Sequence, residues 1–218
     1  MRILVVPRPD QSLDRRVEVA QQVADGVAFD GTDDGFSLAD AVDLNTAVST
    51  AGKTFAIAFT TGSDVAGRQV LYEQGGSVRG VNLYVEDGEV HLGAWNLNET
   101  DWGPLFVNSA LTTNTSYIAT LVFDGVAGTV SGTLNGGSIG SLSGASLLHD
   151  HSGDIGAGAT RDSSYFASGA DGTSGPNHFF EGTLLEIVAF DHALDVADRQ
   201  GLETYLTDKW GIDDTLIA

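Results

Sequence analysis

The chain has 218 residues, is 42% hydrophobic, contains no cysteine and carries a formal net charge of -20 from 30 acidic and 10 basic residues. That length and apolar content suffice for one domain with its own core. Disulfides and thiolate metal sites are excluded, and so acidic a surface opposes nucleic acid and anionic membranes, which are held by Lys and Arg.

The charge imbalance lies wholly after residue 26. Residues 1–26 begin with an apolar run, pass Pro7 and Pro9, and take on helical character over 13–24. They read as an N-terminal extension: either an edge strand with a short helix, or a linker. No run reaches the ~20 apolar residues of a membrane-spanning helix, so no direct membrane insertion is expected. No cleavage-type end follows the apolar start, which suggests a domain excised from a longer chain.

From Val27 the pattern changes to short β-rich runs broken by Gly, Asn and Asp. Strands are predicted over 27–29, 54–60, 69–73, 81–85 and 90–95, the last two joined by the hairpin signal Asp87-Gly88. Further strands are predicted over 116–123, 128–134, 154–158 and 183–190. Residues 160–178 form a long loop, of the kind that is functional or disordered. Asp195 offers a helix N-cap with Asp198 three residues on. Val196, Leu202, Tyr205, Leu206 and Trp210 supply an apolar face, and Gly211 a stop. Many short strands with 28 glycines at their corners predict an all-β fold. The pattern predicts a sandwich or jelly roll over residues 27–218 with one short C-terminal helix, which the resemblance below narrows to a two-sheet antiparallel jelly-roll sandwich.

Sugar hydroxyls are read by groups that both donate and accept, with an aromatic ring stacked on the apolar face of the pyranose. Glu73, Gln74, Arg79, Asn82, Trp95, Asn96, Asn98 and Trp102 contain every component, gathered at strand ends. For Trp95 the alternative is a place in the core, and for the Glu73, Gln74 and Asn82 set a role in capping strands. Trp102 lies in a turn-like Asp-Trp-Gly-Pro context that favours exposure. A stacking platform requires at least one of these two tryptophans to be accessible.

Calcium takes oxygen ligands, and two groups could supply them. Asp30, Asp33 and Asp34 sit in Asp-Gly-Thr-Asp-Asp-Gly, although position twelve of an EF-hand would be Ala41 rather than Glu. Asp162, Asp171 and Asn177 belong to the long loop. His149 and His151, in His-Asp-His, are either a metal pair or part of a polar loop.

Several landmarks recur in order: Phe29-Asp-Gly-Thr-Asp-Asp34, Tyr72-Glu-Gln-Gly-Gly76 with Asn82, Ala94-Trp-Asn96, Val122-Phe-Asp-Gly125, Phe180-Glu-Gly-Thr-Leu-Leu-Glu-Ile-Val-Ala-Phe190, and the tail through Lys209-Trp-Gly211. By these the chain resembles the bacterial laminin G-like members of the concanavalin A-like lectin/glucanase superfamily. The resemblance implies two curved antiparallel sheets face to face, and an extracellular setting within large surface proteins or adhesins. Glucanases of that superfamily carry Glu-x-Asp-x-Glu on one strand, which is missing here. Glu181 and Glu186 are five residues apart, on opposite faces by strict alternation. With few bases after residue 26, the superfamily's lyase chemistry is disfavoured too, and no Gly-x-Ser-x-Gly elbow exists. The expected function is non-catalytic carbohydrate binding with calcium support, with glycans as partners. A structural or protein-binding module of a surface protein is the alternative, and a glycan-cleaving enzyme ranks below both.

Overall fold

The computed structural model describes residues 3–6, 26–40, 44, 45, 49–98 and 101–213. Two antiparallel sheets carry the fold. The seven-stranded sheet contains β1 (Ile3–Val6), β15 (Glu181–Phe190), β4 (Gly52–Thr61), β9 (Ser116–Asp124), β10 (Thr129–Leu134) and β11 (Gly137–Ser143) in that order, with β2 (Val27–Asp30) also paired to β15. The six-stranded sheet runs β3 (Phe36–Leu38), β12 (Ile155–Ala157), β5 (Gln69–Gly75), β6 (Arg79–Glu86), β7 (Glu89–Asn96) and β8 (Trp102–Ala110). A separate hairpin is formed by β13 (Ser164–Phe166) and β14 (Gly169–Asp171). Within the N-terminal extension, β1 pairs in parallel with Ile187–Phe190 of β15; the predicted helical stretch over 13–24 lies outside the described residues.

Alternation explains the core. Phe55, Ile57 and Phe59 of β4, Leu121 and Phe123 of β9, and Ile187 of β15 face Tyr72, Val81, Leu83, Val85, Leu92 and Trp102 of the other sheet. Each fully buried side chain of this size contributes roughly 1.5–3 kcal/mol. Residues of opposite parity on β6 and β7 (Gly80, Asn82, Tyr84, His91, Gly93, Trp95) therefore lie on the far face of the six-stranded sheet, and that face positions the candidate site.

The helix α1 (Val196–Trp210) follows its sequence signals. Asp195 caps it by accepting from the Asp198 amide at 2.9 Å, and Gly211 ends it at φ 63°, ψ 33°. Its apolar face is narrower than the spacing suggests. Leu206 packs on Ala56, Ile118 and Val188, but Val196 and Tyr205 are exposed. Trp210 is half-buried and donates to Glu186 at 3.0 Å.

Three local readings change. Residues 102–110 form β8, not a turn: β8 is an edge strand, and Gly103 and Pro104 sit in a bulge where its pairing with β7 shifts register between Ala94 and Asn96. Residues 137–143, not predicted as a strand, form β11, the edge of the seven-stranded sheet that packs against β8. A bulge between Leu184 and Glu186 breaks the alternation in β15, so Leu185 and Glu186 both turn toward α1, where Glu186 accepts from Lys209 at 2.8 Å. Glu181, about 15 Å away along the strand, instead accepts from Ser63 Oγ at 2.8 Å. The two carboxylates serve separate structural contacts, far from the spacing a retaining glycosidase needs.

Candidate functional site

Segment 160–178 is no open loop. It returns across the far face of β5, β6 and β7 through the β13–β14 hairpin. The Arg161 amide donates to Glu73 Oε1 at 2.8 Å. Asn82 Nδ2 donates to the Tyr165 carbonyl at 2.7 Å and to Ser164 Oγ at 3.2 Å. The Ala167 amide donates to Tyr84 Oη at 2.9 Å. Phe166 is fully buried edge-on against Tyr84, and Tyr165 leans on Trp95, with centroids 4.9 and 6.0 Å apart. The guanidinium of Arg68 lies 4.1 Å above the Phe166 ring and pairs with Glu86 at 2.8 Å.

Two glycines make these contacts possible. A Cβ on Gly156 would lie 2.3 Å from the Ala159 carbonyl and 2.9 Å from Glu73 Oε1, where the covering segment leaves β12. A Cβ on Gly80 would lie 2.9 Å from the Trp95 ring, which is seated on that glycine.

The covering segment removes Glu73, Asn82 and Trp95 from solvent, the 149–151 loop covers Gln74 and Asn96, and Trp102 turns into the sandwich. Glu73, Gln74, Asn82, Trp95 and Asn96 are at most 1% exposed, and Trp102 is 5% exposed. Neither tryptophan is therefore a stacking platform. Trp102 points into the sandwich, stacked on Phe123 at 5.3 Å, and donates its indole N–H to the Leu147 carbonyl at 2.8 Å. Trp95 donates to the Gly76 carbonyl at 2.9 Å. His91 is covered as well, stacked on Tyr84 at 4.8 Å. Asn98 is exposed beyond the end of β7, and Arg79 is half-buried at the start of β6.

Arg79 opens onto a cavity of about 480 Å³ at the rim, lined also by Gly76, Ser77, Val78, Asp150, His151, Ser152 and Ser163. The buried polar residues of the expected set build its walls from behind. Tyr72 donates to Gln74 Oε1 at 2.7 Å, and Gln74 Nε2 donates to His151 Nε2 at 3.2 Å. His151 Nδ1 then donates to the His149 carbonyl at 3.1 Å. This order of donors requires the neutral imidazole, and burial pushes its pKa down in agreement. Asn96 Oδ1 accepts from the His149 amide at 3.1 Å, and Trp95 anchors Gly76. Arg79 itself donates from Nη1 to the Asp150 carbonyl at 3.3 Å. The cavity thus presents a guanidinium, a carboxylate and three hydroxyls, a mixed donor and acceptor set suited to a polyhydroxylated ligand. Ser77, Asp150, Ser152 and Ser163 were not legible as site residues; His149-Asp-His151 was the only local signal near them. His149 and His151 belong to this polar wall and form no metal pair in the cavity.

The calcium candidates divide. Asp30, Asp33 and Asp34 are exposed and bring one carboxylate oxygen each within 4.8 Å of one another. Asp30 Oδ1 accepts from the Thr32 amide at 2.8 Å, and Asp34 Oδ2 accepts from the Asp30 amide at 3.2 Å, so the turn is preformed. Three carboxylates so placed fit a hard cation. Asp162, Asp171 and Asn177 serve different local partners instead. Asp162 accepts from the Gly175 amide at 3.3 Å, and the Asn177 side chain from the His178 amide at 2.8 Å. Asp171 accepts from Thr173 and His178, and those hydrogen bonds hold its pKa down at about 2.

No protein-family model matches the sequence, and no curated protein matches it. Among solved structures, the CBM40 module of the Ruminococcus gnavus IT-sialidase bound to α2,3-sialyllactose aligns with a TM-score of 0.61 at 16% identity, over 82% of this chain and 96% of that one. A heptameric SAP-like pentraxin from Limulus polyphemus aligns at 0.52 and 16% identity, over 82% of each chain. Mouse laminin α1 domains LG4-5 align at 0.53 and 14% identity, over 86% of this chain and 48% of that one. The fold is the concanavalin A-like jelly roll. At these identities the likeness is one of architecture. Within this jelly roll, the long segment after β12 folds onto the six-stranded sheet and leaves an accessible polar cavity at the rim.

Proposed function

We propose that the chain is a non-catalytic carbohydrate-binding module of a bacterial extracellular surface protein or adhesin, with calcium bound at Asp30, Asp33 and Asp34. The observation that carries the reading is the rim cavity, in which Arg79, Asp150 and the Ser77, Ser152 and Ser163 hydroxyls converge. A jelly-roll neighbour that binds sialyllactose supports it. Charged and hydroxyl groups take the place of the tryptophan platform, with Arg79 donating to ring or carboxylate oxygens of the sugar. Both sialylated and neutral glycans are admissible ligands.

A glycan array probed with wild type and Arg79→Ala tests this reading. Wild type is expected to bind a defined sugar set, and Arg79→Ala to lose it while staying folded, at a cost of about 1 kcal/mol for its hydrogen bond to Asp150. Absence of binding by wild type would favour a protein-binding laminin G-like module. One observation already speaks for that second reading: both tryptophans expected to stack on sugar are buried.

Calcium is tested separately by thermal unfolding. Because metal that binds only the folded state stabilises it, about 100-fold excess over Kd is expected to add about 2.7 kcal/mol, or roughly 5–10 °C in Tm for a domain of this size. Asp33→Asn should abolish most of that gain without altering the metal-free Tm. An unchanged Tm in millimolar calcium would remove calcium from the proposal.

A further inference from the structure

Beneath the hairpin, two buried oxygens lack donors: Glu73 Oε2 and Asn82 Oδ1. They belong to directly opposed residues of β5 and β6, whose Cβ atoms in such a pair are about 4.5–5.5 Å apart. The orientation of the Asn82 amide is settled by its partner, because the Tyr165 carbonyl only accepts and so faces Nδ2. Glu73 Oε1 is occupied by the Arg161 amide. Two neighbouring buried acceptors without a donor are unfavourable unless one of them gains a proton.

We propose that the β13–β14 hairpin is a proton-locked lid: Glu73 donates a carboxyl proton through Oε2 to Asn82 Oδ1, and hairpin opening is coupled to release of that proton. The closed lid places Arg161, Tyr165 and Ala167 on Glu73, Asn82 and Tyr84 respectively, so the carboxyl and the amide together hold its root and its first strand, and the Tyr84 hydroxyl its tip. Opening uncovers Asn82, Tyr84 and the Trp95 indole, an amide-and-aromatic face distinct from the rim cavity.

The charged surroundings act in the same direction. Asp162, on the covering segment, adds its negative charge, whereas Tyr72 on the same strand is kept neutral by burial. The Arg161 guanidinium is turned to Asp154, at 3.3 Å, and Arg68, Glu86, Asp171 and His178 form the ion pairs at the far end of the hairpin. Burial raises the Glu73 pKa from 4.5 to about 8, the Arg161 amide opposes the rise and Asp162 adds to it. Because the closed form holds the proton more tightly, opening becomes easier as pH climbs from 4.5 toward about 8, and levels off above.

Hydrogen exchange at the Arg161 and Ala167 amides between pH 5 and 9, expressed as protection factors, tests the lid. Wild type is expected to lose protection by about ten-fold per pH unit up to the midpoint. Core amides at Ile57 and Leu121 should stay protected throughout. Glu73→Gln keeps an acceptor for Arg161 and supplies a permanent donor to Asn82, so its protection should be independent of pH. Equal pH dependence in both proteins would overturn the proposal, as would simultaneous loss of protection at Ile57 and Leu121. A carbon-13 titration of the Glu73 carboxyl in wild type gives a second reading free of any mutant. A midpoint near 8 supports the lid, and one near 4.5 overturns it.

Discussion

Replacing Glu73 by Gln should stabilise the protein at neutral pH. The native state holds this carboxyl neutral under the hairpin, with a pKa moved from 4.5 to about 8, whereas the unfolded chain ionises it freely. Between those values the native state binds the extra proton, so stability falls as pH rises from 4.5 toward 8 and is flat beyond. At pH 7 the linkage amounts to about 3 kcal/mol, an order-of-magnitude figure for a buried group. Glu73→Gln removes that burden, and its amide N–H₂ meets Asn82 Oδ1. Chemical denaturation at pH 4.5, 6 and 7.5 should show nearly equal stability for both proteins at the lowest pH, and a widening advantage for the variant above it. A variant less stable than wild type at pH 7.5 would mean that Glu73 is ionised and paired in the native state.

The second large effect is expected at Trp102. Its turn-like sequence setting predicts an exposed ring. In the structure the ring fills the sandwich against Phe123, with its N–H bonded to Leu147. Trp102→Ala should therefore lose about 3–5 kcal/mol, a large part of the ~5–15 kcal/mol that holds a typical domain together. Trp102→Phe, which keeps most of the apolar volume and loses the hydrogen bond, should lose less. Urea unfolding of the two variants separates the contributions. A midpoint for Trp102→Ala within error of wild type would place the ring outside the core after all.

These two residues show what local sequence carries and what it does not. Strands such as Arg79–Glu86 and Glu89–Asn96 are legible because their apolar residues alternate and Asp87-Gly88 fixes the hairpin between them. The helix is legible through Asp195 and Gly211. The strand Trp102–Ala110 is not, because Gly103 and Pro104 look like a turn wherever the sheet edge cannot be seen. The polar set at Glu73, Asn82 and Trp95 was read as a ligand face because alternation does place these residues on one side of the sheet. What covers that side comes from residues 161–171, some 70 to 90 positions later, and no periodicity announces it. Arg79 alone of the set reaches the cavity. Besides Val78 and His151, its neighbours there are serines, a glycine and a loop aspartate, residue types that fill any surface turn and acquire meaning only when three separate loops meet.

The central claim is that the rim cavity around Arg79, and not a tryptophan surface, holds a sugar. Amide chemical-shift mapping with a glycan taken from the array tests it most directly. The account predicts that the shifts concentrate at residues 76–79, 150–152 and 163, with the strand amides of Trp102–Ala110 unmoved. Shifts confined to the helix, to the Val126 turn or to the outer edge at Gly137–Ser143 would contradict it.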